Sequence, residues 1–179
     1  MKELKKSALV NEKKKSRVLT EKDVFRKLDN PFIIKLHYAF QTVDKLYFIL
    51  DFINGGELYS HMWDQIRFKE SKVRFYACEI LVGLKAMHDN GIIYRDLKPN
   101  NILIDHTGHI KLIDFGLSKI DEGGNYVAKS VVGTPNYIAP EVLRRNQHTF
   151  MVDWWSYGVL IYEMTWGEIP FLDENTQWQ

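Results

Sequence analysis

The chain has 179 residues, of which 45% are hydrophobic, 13% aromatic and 26% charged, the proportions of one globular domain with a sizeable core rather than of a disordered segment. Lys plus Arg number 24 against 23 for Asp plus Glu, so net charge leaves no footprint for nucleic acid or an anionic membrane. The single cysteine, Cys78, excludes an internal disulfide, and no run approaches the ~20 apolar residues of a membrane span or the core of a signal peptide, which points to an intracellular protein.

From Ser7 to Leu28 a charged stretch carries Val18, Phe25 and Leu28 at helical spacing and stops before Asp29-Asn30-Pro31, which predicts one amphipathic helix. The basic run Lys13 to Lys15 reads as a solvated face of it. Ile34 to Phe40 and Lys45 to Leu50 alternate around Thr42-Val43-Asp44, the pattern of an antiparallel hairpin. Asn54-Gly55-Gly56 breaks the chain, and a boundary between a small mixed lobe and a larger helical lobe is expected near Asp51 to Gly55. The clearest helix runs from about Glu70 to Asn90, with Val73, Tyr76, Ala77, Ile80, Leu81, Leu84 and Met87 recurring at three and four residues before Gly91 stops it. Cys78, inside this pattern, is expected in or near the core. Two short strands, Asn101 to Ile104 and His109 to Ile113, follow around His106-Thr107-Gly108, and a long loop leads to Pro140. Met151 to Trp166 is apolar nearly all round, which predicts a helix buried on all sides.

The chemistry lies between these elements. Phosphoryl transfer asks a protein for a carboxylate at the acceptor hydroxyl, oxygen ligands for a divalent cation, and cations on the phosphates. In the loop Tyr94-Arg95-Asp96-Leu97-Lys98-Pro99-Asn100-Asn101, Asp96 can accept the hydroxyl proton, Lys98 can stabilise the transferring group and Asn101 can ligate Mg²⁺. Asp114-Phe115-Gly116, directly after a strand, adds a second hard oxygen ligand. Either group alone is as well read as a loop ion pair or a plain turn. In this order, with a strand-turn-strand between them, they form a catalytic constellation.

At these residues the chain resembles the protein kinase superfamily, whose motif set is this one. Gly133-Thr134-Pro135-Asn136-Tyr137 and Ala139-Pro140-Glu141 are similar to the end of a kinase activation segment, which small-molecule phosphotransferases lack. Lys98, two places after Asp96, resembles serine/threonine rather than tyrosine kinases. Tyr94, Asp153-Trp154-Trp155-Ser156 and the Asp51-Phe52-Ile53-Asn54-Gly55-Gly56-Glu57 stretch are similar to the AGC group, which includes protein kinases A, B and C and the ribosomal-protein kinases. The resemblance implies an α+β, bilobal kinase-like fold: a partial N-lobe of one helix and antiparallel strands over 1–50, a hinge at 51–56, and a partial, mainly helical C-lobe over 57–179 with its activation segment at 114–141. It implies ATP and Mg²⁺ as cofactors, with Asp96, Lys98, Asn101 and Asp114 catalytic and Asn101 and Asp114 holding the metal.

Position by position, Lys2 falls where the family's third-strand lysine holds the ATP phosphates, and Glu21 where its ion-pair partner lies. Leu50 takes the gatekeeper position, backbone groups of Asp51 and Ile53 would bond adenine, Glu57 would reach the ribose and Leu103 would floor the purine. Ser130 stands at the family's activation-loop phosphorylation position, with Arg17, Arg95 and Lys119 to receive the phosphate. Glu57, Asn100, Thr134 and Glu163 fall on the substrate-binding surface; a preference for basic residues near Ser or Thr follows from the two acids, weakened where Asn100 replaces the group's usual acid. Partners implied are such protein substrates and an upstream activating kinase, in the cytoplasm or nucleus. On this resemblance the chain starts at the third strand and stops after the apolar helix, which predicts little activity for it alone. A catalytically inactive fragment acting as a binding module or decoy is the alternative reading.

Overall fold

The computed structural model describes residues 1–121 and 127–171; residues 122–126 of the expected activation segment and 172–179 of the expected large lobe lie outside them. Lys2–Lys5 (β1), Leu36–Gln41 (β2) and Lys45–Leu50 (β3) form an antiparallel sheet in the order β1-β3-β2, with Lys2 opposite Phe48 and Ala39 opposite the same Phe48 from the other side. The expected hairpin is present. The first helix (α1) spans Glu12–Lys27 rather than starting at Ser7. Residues 2–5 are drawn into the sheet instead, and Asn11 supplies the start: its side chain accepts a hydrogen bond from the Lys14 backbone N–H at 2.9 Å, satisfying a donor that the first turn leaves open.

A chain segment at 51–57 leads from β3 into Leu58–Gln65 (α2) and Glu70–Asp89 (α3). The short strands Ile92–Ile93 (β4), Ile102–Ile104 (β5), Ile110–Leu112 (β6) and Lys119–Ile120 (β7) pair as β4-β7 and β5-β6. Pro140–Leu143 (α4) and Met151–Trp166 (α5) complete the described order. The architecture is α+β, as expected. One apolar core runs through it: Phe25 of α1 meets Phe48 of β3 and Phe115 edge-on, and Ile80, Leu84, Met87, Ile102, Ile110 and Leu112 close the space beneath.

Two expectations about the helices need correction. On α3 the buried stripe is Val73, Tyr76, Ala77, Ile80, Leu84 and Met87. Cys78 is exposed, because two residues before Ile80 it stands about 160° round the helix from that stripe. Leu81 is also largely exposed. On α5, Val152, Val159, Leu160 and Met164 are buried, but Met151, Trp155, Tyr162 and Trp166 face outward. That helix is apolar all round and buried on one side only.

The segment at 51–57 is held against β5 by close backbone contact. Gly55 N–H donates to the Ile104 carbonyl at 2.9 Å, and Ile104 N–H to the Gly56 carbonyl at 2.9 Å. A Cβ on Gly55 would fall 2.3 Å from the Ile104 oxygen. Gly55→Ala is therefore expected to destabilise by about 1–3 kcal/mol through forced backbone separation. Gly158→Ala, where a Cβ meets nothing within 4 Å in the α5 interior, should be stabilising by about 0.5–1 kcal/mol. Urea midpoints of the two variants measure the contrast.

Candidate active site

The site gathers where α1, β5, β6 and the loops around them meet. Lys2, on β1, places its Nζ 2.7 and 2.8 Å from the two carboxylate oxygens of Glu21 on α1. Glu21 is buried, and burial holds its carboxyl above the usual value against the opposing pull of the Lys2 ammonium; the nearby Asp114 pushes the same way as burial. The two residues nineteen apart in sequence are thus brought together, with Asp114 beside them.

Asp114 follows β6 at φ 60 and is itself exposed, its Oδ1 accepting from Gly116 N–H at 3.2 Å. A left-handed φ at a non-glycine residue is tolerated here because Phe115 is locked. Its ring is fully buried, 5.3 Å from Phe25 and 5.6 Å from Tyr94 by centroid. Phe115 turned inward fixes Asp114 outward.

Asp96 has three partners. Asn101 Nδ2 donates to its Oδ2 and its backbone carbonyl, both at 2.8 Å; Thr134 Oγ1 donates to Oδ1 at 2.8 Å; and Lys98 Nζ lies 3.1 Å from Oδ2. Lys98 also donates to Thr134 Oγ1 at 2.8 Å. The activation-segment threonine therefore closes a ring with the two loop residues. With both N–H groups of Asn101 committed to Asp96, its Oδ1 is left as a cation ligand.

What sets this loop in place is Asp153, on the first turn of α5 and 0% exposed. Its Oδ2 accepts from Tyr94 N–H at 2.9 Å and lies 2.8 Å from His88 Nε2, and its Oδ1 accepts from Arg95 N–H at 2.8 Å. Arg95 adopts φ 69. From there its guanidinium reaches the activation segment: Nε donates to the Leu117 carbonyl at 2.7 Å, and Nη1 to Ser130 Oγ at 2.7 Å. Burial lowers the Arg95 value from its ordinary one, without bringing it near neutrality. Arg17, Arg95, Lys119 and Ser130 line one open hollow of about 420 Å³, with Lys13 at its edge. All three expected phosphate-receiving residues thus share a space with Ser130, although Lys119 Nζ is bonded to the Val127 carbonyl.

Around the other end of the cleft, Leu50 closes β3, opposite Leu36. Asp51 N–H is already spent on the Lys35 carbonyl at 3.1 Å, so the carbonyl is what Asp51 can offer a base. Glu57 and Leu103 stand opposite each other in an isolated antiparallel bridge, as a ribose-side and a base-side residue would. Glu57 Oε2 accepts from Asn100 Nδ2 at 2.9 Å, joining two expected substrate residues directly. Glu163, the fourth, is buried on α5 and accepts from Tyr137 OH at 2.5 Å; burial raises its carboxyl above the usual value.

Two residues of structural weight were not legible as such. Asp153 was visible only as part of a motif, and His148 not at all. Ala128 and His148 exchange both backbone hydrogen bonds, at 2.7 and 2.9 Å, which ties the activation segment to the approach of α5. The His148 ring is buried with Nε2 lacking a hydrogen-bond partner, and burial lowers its value, keeping it neutral.

Residues 1–179 match the model of the protein kinase domain family. The chain is 52% identical over 173 residues to ribosomal protein S6 kinase alpha-1 of Rattus norvegicus, covering 96% of this chain and 23% of that protein. It is 46% identical over 176 residues to serine/threonine protein kinase ypkA of Aspergillus fumigatus, covering 98% and 28%, and 49% identical over 177 residues to protein kinase 2 of Dictyostelium discoideum, covering 98% and 36%. The chain spans about a quarter to a third of the length of these relatives. With the Lys2–Glu21 pair, the ring around Asp96 and the outward Asp114 on one side of the cleft, and these matches along nearly every residue, the chain belongs to the protein kinase domain family, in its AGC group.

Proposed function

We propose that the chain transfers the γ-phosphoryl group of ATP to serine or threonine hydroxyls of protein substrates inside the cell. The observation that carries this reading is the Thr134 hydroxyl held 2.8 Å from Asp96 Oδ1 with Lys98 Nζ 2.8 Å from the same hydroxyl oxygen. A substrate hydroxyl needs the same two partners: a carboxylate oxygen to take its proton and a cation to stabilise the group it attacks.

Among the described residues no cluster of three or more His, Cys, Asp or Glu could hold a metal. Asp114 and Asn101 offer two hard oxygens, too few for the six that Mg²⁺ prefers, which fits an ion that arrives on phosphates and keeps waters. Bound MgATP supplies the phosphoryl group and neutralises its charge. Lys2, fixed by Glu21, meets the phosphates; the Asp51 carbonyl and Ile53 N–H meet the base beside Leu50 and Leu103; Glu57 meets the sugar. Asp96 accepts the acceptor hydroxyl's proton while Lys98 faces the moving phosphoryl.

The test is transfer of label from γ-labelled ATP to a serine peptide with arginine upstream, in protein treated with an activating kinase. Mg²⁺-dependent labelling of the serine is expected. No transfer above the rate without protein would overturn the reading.

Ser130 is the regulatory residue of this proposal. A phosphate there would exchange the single neutral bond from Arg95 for charge-assisted ones to Arg95, Arg17 and Lys119, each about twice as strong. Ser130→Ala is expected to lower activity at least about tenfold after activation, and to leave the segment as protease-sensitive as in unphosphorylated protein. Equal activity and equal protection would count against it.

Glu57 and Glu163 favour basic substrates. Asn100 contributes an amide where the group carries an acid, and this amide already donates to Glu57. Asn100→Glu should raise kcat/KM about tenfold for peptides with arginine two places before the acceptor, relative to alanine there.

A further inference from the structure

Beyond the cleft, a hollow of about 510 Å³ opens between α2 and the end of α5, lined by Tyr59, Met62, Trp63, Ile66, Glu163, Gly167, Glu168 and Ile169. Its walls are apolar and unusually open. Trp63 is 76% and Ile66 77% exposed, and Tyr59 and Trp63 lie with ring centroids 6.4 Å apart on consecutive turns of α2. Large exposed apolar side chains clustered around a concavity mark a binding surface.

The backbone is arranged to keep it open. Ile66 adopts φ 61, a strained value for a β-branched residue. Gly167, at φ 81, lies so close beneath that a Cβ there would sit 2.3 Å from the Ile66 carbonyl oxygen. Phe68 N–H donates to the Met164 carbonyl at 2.9 Å next to it. These contacts clamp α2 to α5 and hold the Ile66 side chain in water rather than in the core.

Both walls originate at the acceptor site. On one side α2 begins at Glu57, bonded to Asn100 of the catalytic loop, and reaches Tyr59 and Trp63 within two turns. On the other, Glu163 accepts from Tyr137 OH, three residues after Thr134, whose hydroxyl is on Asp96. Glu163 has this one recorded hydrogen-bond partner, and Glu168 is exposed at the rim. A chain lying in the acceptor site and leaving past Glu57 and Glu163 enters an apolar cup edged by two acids.

Resting on the reading above, we propose that this hollow is a subsite for the substrate protein itself, taking a leucine-like or aromatic side chain upstream of the acceptor, with an adjacent arginine or lysine meeting Glu163 and Glu168. The chemistry favours this occupant over an acidic or wholly polar one: the walls desolvate an apolar side chain, and the two carboxylates repel negative charge.

Fluorescein-labelled serine peptides with one arginine near the acceptor provide the test, with leucine or alanine placed in turn at each of the five positions upstream of that arginine. Binding to the purified protein is read by anisotropy, and phosphorylation of the same peptides is measured in parallel. At one or two adjacent positions leucine should tighten binding about tenfold over alanine. Trp63→Ala should remove that gain and leave the alanine peptides unchanged; Trp63→Phe should keep most of it; Glu168→Lys should weaken only peptides with a basic neighbour. Equal binding of leucine and alanine peptides at every position, or a gain that survives Trp63→Ala, overturns the subsite. So does concentration-dependent self-association abolished by Trp63→Ala in sedimentation, which would make a second copy the occupant. Binding with the expected leucine preference but no phosphorylation would instead overturn the phosphotransfer reading and leave the subsite standing.

Discussion

Asp96→Asn is expected to lower turnover by a factor of about 10²–10⁴, the range for losing a positioned general base. The buried carboxylate accepts from Asn101 and Thr134 and faces Lys98. An amide of the same shape can accept on one side only. Its NH₂ would point at a donor, either Asn101 or Thr134, and the ammonium of Lys98 would lose its counter-charge. Proton acceptance is lost while most of the packing remains, since Leu97 beside it is fully buried whatever stands at 96. Stability should fall by only about 1–3 kcal/mol. The measurement is single-turnover transfer to a serine peptide with circular dichroism as a folding control. Turnover within tenfold of wild type in a folded variant would remove Asp96 from the role of base.

How much of this was legible beforehand depended on whether a residue works locally or at a distance. The hairpin and α3 follow from alternation and three-four spacing, which are properties of the segment itself. So does the cluster of reactive groups in 94–101, since one short loop carries them all. Start points are less local: the chain from 2 to 8 looks helical by charge and spacing, yet β1 forms because β3 offers an open edge opposite it. Cys78 was misjudged for a related reason. Its sequence neighbours Ala77 and Ile80 are buried, but only its angle round the helix decides which way it faces. Lys2 and Glu21 carried no signal of their own and became a pair only through the family resemblance; the sheet and α1 bring them to 2.7 Å. His148 left no trace at all, because its two backbone bonds to Ala128 depend on how the activation segment folds back.

Asp153 offers the largest effect on the fold. Asp153→Ala should cost about 3–5 kcal/mol, because it strands the buried Tyr94 and Arg95 N–H groups together and leaves His88 without its carboxylate. Each orphaned donor costs on the order of 1–3 kcal/mol. The backbone adds to this: Arg95 holds φ 69, a conformation that a bulky residue keeps only while its surroundings enforce it. Released from Asp153, Arg95 can relax, and its guanidinium then leaves the Leu117 carbonyl and Ser130. Asp153→Asn should fall between, since one amide oxygen can still accept from one of the two N–H groups while the NH₂ opposes the other. For a chain of this size the alanine variant should melt roughly 10–15 °C below wild type. Amide exchange at Tyr94 and Arg95 should rise more than at Ile80, on the far side of the core. A melting point within about 2 °C of wild type, with exchange at those two amides unchanged, would mean that the loop is held by other contacts and that Asp153 merely fills space beneath it.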